Sequence, residues 1–190
     1  MKKILIGSLI ASSILLGNNG VEINVNDDTV ELKADVYLND FYDVSNESNY
    51  YFTLGHLRTE NDLNESDSLT TAGLKVLNPF TDDNGISIGL GIKSVYTNQL
   101  SKTFFAVPLS VYAKIELSEV LYIDGEVSYA PSVLALSDAD SYKGMKARIN
   151  YKVLENGYAF IGARSIETKY ENGTTSKFDS SAFVGFEVRF

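Results

Sequence analysis

The chain has 190 residues, 44% of them hydrophobic, 22% charged and 12% aromatic, with a formal net charge of −9. That length fits one domain, and the acidic total excludes broad nucleic-acid binding, which needs a basic face. The absence of cysteine excludes disulfides, thiolate metal sites, a cysteine nucleophile and a lipid-modified N-terminal cysteine, and the single histidine, His56, excludes any site that needs two.

Met1-Lys2-Lys3 is a short positive start, followed by an apolar run from Ile4 to Leu16 that Gly7, Ser8, Ser12 and Ser13 soften. A helix of that length spans about 20 Å, short of the ~30 Å hydrocarbon core. Residues 1–20 therefore read as a secretory signal peptide, cut between Gly17 and Gly20. Residues 21–190 form the exported domain. Losing Lys2 and Lys3 and no acids deepens its charge from −9 to −11.

Downstream the chain alternates with period two between turn signals. Val21-Glu22-Ile23-Asn24-Val25 is a short candidate strand that turns at Asn26-Asp27-Asp28. Segment 30–38 sets Val30, Leu32, Ala34 and Val36 against Glu31, Lys33, Asp35 and Tyr37. Segments 50–59 and 69–77 follow less cleanly, and 85–96 alternates until a phase slip near Val95. Segment 103–117 is the longest, with Phe105, Val107, Leu109, Val111, Ala113, Ile115 and Leu117 on one face. Segments 120–130, 140–154 and 180–190 alternate well, while 157–170 is ambiguous, with apolar and polar residues mixed on both faces and Arg164 favouring an inward even face.

Three features favour a membrane barrel over a soluble sandwich. The segments run about 9–15 residues, where soluble strands average 5–6 and tilted membrane strands need 9–11. Charges of both signs sit in mid-strand, as in a polar lumen. Aromatic residues gather at segment ends, where rings with a polar tip suit the headgroup level: Tyr37, Tyr51, Tyr96, Phe104, Tyr122, Tyr129, Tyr142, Tyr151, Tyr158, Tyr170 and Phe190 among them. Lipid offers no partner to an open strand edge, so the sheet must close. The fold class is all-β, a transmembrane antiparallel up-and-down barrel of ten strands if 21–25 counts, or alternatively eight, since such barrels are even-numbered.

The ending Gly185-Phe186-Glu187-Val188-Arg189-Phe190 resembles the C-terminal assembly signal of bacterial outer-membrane proteins, carried by Gly185, Val188 and Phe190, although Phe183 stands where a polar residue is usual. It implies the outer-membrane assembly machinery as a partner, besides membrane lipid and lipopolysaccharide. With Phe190 at the periplasmic end, the turns at Ser118-Glu119 and Glu155-Asn156-Gly157 are periplasmic. Segments 60–68, 97–102, 131–139 and 171–179 become the outward loops, the first acidic through Glu60, Asp62, Glu65 and Asp67.

Tyr129-Ala130-Pro131-Ser132-Val133-Leu134 followed by Asp138-Ala139-Asp140-Ser141-Tyr142 resembles the hallmark of the YfaZ family of outer-membrane proteins. Asn26-Asp27-Asp28-Thr29, Leu54-Gly55-His56-Leu57, Ile161-Gly162-Ala163-Arg164 and Val184-Gly185-Phe186 fit the same family. His56 stands where Trp is commoner, and Ala163 and Ser165 where aromatic rings are. The resemblance implies a porin-like barrel in the Gram-negative outer membrane and carries over no catalytic residue.

The candidate functional residues are a charge ladder facing the lumen: Lys114, Glu116, Asp124, Glu126, Lys146, Arg148, Lys152 and Arg164. Opposite charges on adjacent strands attract by roughly 0.2–1 kcal/mol per pair, and in a narrow barrel they fill the interior. The expected function is an envelope structural or interaction barrel with a narrow or closed lumen, without cofactor, metal or catalytic site. The alternative is a small-solute or ion channel that uses the same charges as a selectivity lining. A hydrolase built on His56, Glu60 and Asp62 is the remote reading.

Overall fold

The computed structural model describes residues 19–39, 41, 48–60, 66–79, 85–99, 102–137, 139–171 and 173–190. Residues 1–18, which carry most of the signal-peptide expectation, lie outside them, as do Asp62 and Glu65 of the acidic loop.

Long alternating segments separated by turn residues fold as strands: β1 (Gly20–Val25), β2 (Thr29–Tyr37), β3 (Asn49–Glu60), β4 (Ser66–Pro79), β5 (Ile86–Gln99), β6 (Lys102–Ala106), β7 (Leu109–Ser118), β8 (Leu121–Ala130), β9 (Ala135–Ser137), β10 (Ala139–Leu154), β11 (Gly157–Tyr170) and β12 (Thr175–Arg189). The sole helical piece among the described residues is a 3₁₀ turn, Ser132–Leu134. Every pairing is antiparallel, β1 pairs with β12, and β4 with β5, so the sheet closes on itself.

Twelve strands fill ten places in the ring. Both β6 and β7 lie along β5, and the break between them falls at Val107-Pro108. Proline has no N–H to give the ladder, although its carbonyl still accepts from Lys93 N–H at 3.2 Å. Opposite this break, β7 pairs with β8 and β6 with β9. The single long segment expected over 103–117 is thus one barrel position in two pieces, and the ten-strand count holds, with Val21–Val25 inside β1. Followed once round the ring, the strand register advances by about 12 residues, which tilts ten strands by about 40°.

The chain enters the barrel at Asn19, whose N–H and carbonyl bond the backbone of Phe190 at 3.1 and 3.0 Å. Its side-chain oxygen accepts the Tyr37 N–H at 2.8 Å. At the first turn, Asn26 Oδ1 accepts the N–H groups of Asp28 and Thr29 at 2.9 and 2.7 Å, an Asx turn that sets the β1–β2 hairpin.

Alternation sends apolar residues to the outer wall: Ile23, Leu32, Leu74, Leu90, Val111, Val127, Met145, Ile161 and Val184 are all exposed. Polar residues go inward. No phase slip occurs at Val95; the β4–β5 register is unbroken and Val95 points into the lumen, fully buried. It belongs to an apolar cap at the loop end of the lumen, with Leu57, Leu69, Phe104, Ala106, Tyr142, Tyr170 and Phe178. Several aromatic rings expected at the headgroup level are therefore interior. Phe104 packs on Tyr142 and Tyr170 with centroids 6.3 Å from each, and Tyr122 meets Tyr158 at 5.4 Å near the opposite mouth. Tyr96, Tyr129, Tyr151 and Phe190 do face outward.

The four segments expected as outward loops lie at one end of the barrel, but most of 171–179 is strand, because β12 begins at Thr175. A bulge there offsets Ile166–Asp179 from Glu167–Lys177. Two successive residues then point inward, Phe178 into the cap and Asp179 below it.

Candidate functional site

Below the cap the lumen is charged. Arg164 on β11 is the deepest cation, its side chain 2% exposed. Its Nε donates to Asp179 on β12, Nη1 to Asn24 Oδ1 and Glu31 Oε2, both at 2.8 Å, and Nη2 to Thr29 Oγ1 at 2.5 Å. One guanidinium thereby ties β11 to β12, β1 and β2. The planar fork with five donors is what allows four partners at once.

Arg148 repeats the pattern one level nearer the termini. Nε and Nη2 grip Asp124 on the neighbouring β8 at 2.9 Å each, and Nη1 crosses to Glu22 Oε2 at 2.5 Å. Asn150 Nδ2 adds a 2.7 Å bond to Asp124. Lys146 donates to Glu22 Oε1 at 2.9 Å and to Glu31 Oε2 at 3.0 Å. Asn24, fully buried, donates to the same two carboxylates at 2.8 and 2.7 Å and so fixes their separation. Aromatic faces line the cation stems: Arg148 over Phe160 at 4.9 Å, Arg164 and Lys146 over Phe183 at 5.0 and 5.1 Å. That stacking explains Phe183 at a position where a polar residue is usual.

These contacts depart from a ladder along neighbouring strands. Lys146 and Glu126 are register partners on β10 and β8. Glu126 nevertheless pairs with Lys93 on β5 and accepts the Ser128 hydroxyl at 2.8 Å, while Lys146 reaches across the lumen. Only Arg148–Asp124 is the adjacent-strand pair that the spacing suggests. The physical reason is curvature, because inward side chains of a small barrel converge and a long cation is as near to the far wall as to its neighbour. Lys114 bonds Glu116 on its own strand at 2.6 Å at the terminal mouth, and Lys152 has no ion pair among the described residues.

Glu22, Asn24, Lys75 and Asp179 join the network without standing out in the sequence. The signal for Glu22 and Asn24 was their alternation with Val21, Ile23 and Val25; Asp179 lay one residue before the assumed strand. Nearer the termini, Lys75 donates to Asp35 Oδ2 at 2.6 Å, and Arg189 to Glu187 Oε1 and the Tyr122 hydroxyl, both at 2.7 Å.

Within this network lie two cavities of about 60 and 90 Å³, both bordered by Lys33, Tyr112, Glu126 and Lys146. Each is large enough to admit water. Among the described residues no three acidic or histidine side chains gather as a metal site. His56 is far from the lumen charges in role and place, exposed on the outer wall with Nδ1 3.0 Å from Thr70 Oγ1. Gly185 faces inward on β12, where an added Cβ would lie 2.3 Å from Phe160 Cζ; Val188 and Phe190 face outward.

A family model described as "YfaZ precursor" matches residues 64–190, about two-thirds of the chain, and the protein belongs to that family. No curated protein matches it. Among solved structures it is similar to one described as a NanC porin, at 8% identity over 92% of this chain and 99% of that one, with a TM-score of 0.48. It is also similar to OmpT, an outer membrane protein of Vibrio cholerae, at 10% identity over 94% of this chain and 66% of that one, with a TM-score of 0.42. The closed barrel, its apolar outer wall and membership of a precursor family make this a β-barrel of the bacterial outer membrane.

Proposed function

We propose that this YfaZ-family barrel is a closed scaffold of the outer membrane, acting through its wall and outward loops rather than conducting solute through its lumen. The observation that carries this reading is the cross-lumen bonding of Arg164, Arg148 and Lys146 to Glu22 and Glu31, with the apolar cap above it. A solute would have to displace both. Moving a buried, hydrogen-bonded cation off its carboxylates costs several kcal/mol per pair, and the cap, apolar but for the Tyr142 and Tyr170 hydroxyls, replaces little of a solute's lost hydration.

The test is conductance of the refolded barrel in a planar bilayer, using protein whose gel mobility shifts on heating. The scaffold reading expects silence from folded protein. Discrete openings whose ion selectivity changes on Lys146→Glu would instead make the lumen a channel.

A further inference from the structure

A patch of the outer wall on β3–β6 departs from the apolar pattern. At the loop end, the strand register aligns outward residues of β3, β4, β5 and β6 in two rows. The upper row is Arg58–Ser68–Asn98–Thr103, and one pleat lower runs His56–Thr70–Tyr96–Phe105. Beneath them come Leu54–Ala72–Ser94 and Phe52–Leu74–Ile92, and on β2 the neighbours of His56 and Arg58 are the exposed Leu32 and Val30. The polar rows thus cap an apolar wall at the height of exposed Tyr96, where one leaflet's headgroups begin. With Phe190 periplasmic, that leaflet is the outer one.

Arg58 is exposed there and has no ion pair among the described residues. An arginine on the lipid side destabilises a barrel at mid-membrane and is nearly neutral at the interface, where it needs a headgroup as counter-ion. A guanidinium recognises phosphate through two parallel hydrogen bonds. Around it stand the donors of Ser68, Asn98 and Thr103, and Thr70 engages His56 Nδ1, leaving Nε2 for a ligand.

We propose that this patch binds a phosphate group of an outer-leaflet phosphorylated glycolipid, with Arg58 as the principal contact, His56 and the row of hydroxyl and amide donors around the anion, and the lipid's acyl chains against Leu54, Leu74 and Ile92. The site is independent of whether the lumen conducts. It differs from cation-bridged attachment through acidic loop residues, because its charge complement is direct.

The experiment measures lipid retention by the refolded full chain with native mass spectrometry, using purified lipopolysaccharide and the same lipid enzymatically dephosphorylated, in the presence of EDTA to remove bridging cations. The wild type should retain the phosphorylated lipid about tenfold more tightly than the dephosphorylated one. Arg58→Gln should lose that preference, while Lys143→Gln, an outward cation on β10, should keep it. Heat-shifted gel mobility certifies each variant as folded, and Arg58→Lys serves if Arg58→Gln does not fold, with a partial loss expected. Absence of a preference in the wild type overturns the proposal, as does a preference that survives Arg58→Gln. So does full competition by equimolar inorganic phosphate, which would mark a free-anion site instead.

Discussion

Arg164→Met tests whether the lumen network holds the barrel together. The substitution keeps an unbranched stem over Phe183 but removes the charge and all four polar contacts. Glu31 retains Lys146 at 3.0 Å and Asn24 at 2.7 Å, and Thr29 loses only a weak acceptor role. Asp179 is the group stranded. Its side chain is 4% exposed and keeps just the Ser181 hydroxyl at 2.5 Å. Leaving one charge of a buried pair unmatched costs about 3–5 kcal/mol.

Urea unfolding in micelles of fixed composition, read by the heat-shifted gel form and by tyrosine fluorescence, measures this; the chain has no tryptophan. At a slope of about 2 kcal/mol per molar urea, the midpoint should fall by about 2 M. Arg164→Met with Asp179→Leu should recover most of that loss, because an apolar pair of similar volume replaces a buried ion pair at little cost. Arg189→Ala, at the mouth and one-third exposed, should cost about 1 kcal/mol or less. A shift below about 0.5 M for Arg164→Met, or a double variant weaker than the single, would refute the reasoning.

Gly185→Val should destabilise by about 1–3 kcal/mol in the same urea assay, because the new side chain meets the Phe160 ring and the Ile23 carbonyl; Val188→Ala, on the outer wall, should stay within about 1 kcal/mol. The mature N-terminus should lie at or before Asn19, read by intact mass of membrane-extracted protein, since a cut beyond it removes both Asn19–Phe190 bonds and the Tyr37 contact. In planar bilayers, Phe104→Ala/Tyr142→Ala should remain silent, because Lys146, Arg148 and Arg164 still bond across the lumen below the cap. Conduction with one tier alone removed would show that the cap and the charge layer do not seal separately.

The strands themselves were legible because one face of each meets lipid, and period-two alternation records that boundary directly. Segments 30–38 and 140–154 could be read from their pattern nearly to the residue, whereas 157–170 agreed in its bounds although both its faces mix apolar and polar residues. The interior could be read only by face. Tyr142, Phe104 and Tyr170 look like interface rings in sequence, since a ring at a strand end is compatible with either side of the wall. Their inward parity becomes decisive only when Val95, Leu57 and Leu69 are known to share it. Pro108 gave a local sign of a break, but what lies opposite the break, β9 against β6, follows from three-dimensional closure. Asp179 was missed because a bulge changes parity, and no residue type announces a bulge of this kind.

Partner choice in the lumen was the least legible feature, and the hairpin at the chain start supplies its physical sense. β1 has six residues for ladder pairing, whereas β10 and β11 have 16 and 14. The shortest position in the ring is therefore β1, which joins β2 on one side to the long β12 on the other. Glu22 and Asn24 on β1, with Thr29 and Glu31 on β2, are the residues that receive Lys146, Arg148 and Arg164 from β10 and β11. The cross-lumen bonds thus lie beside the short β1 ladders. If neighbouring strands alone satisfied their charges, Lys146 would close on Glu126 and Arg148 on Asp124, leaving Glu22 and Glu31 of the short hairpin with Lys33, the register partner of Glu22, as their nearby cation. Lys93 prevents this by occupying Glu126 from the other side. The arrangement leaves the long side chains of β10 and β11 free to hold the hairpin from within.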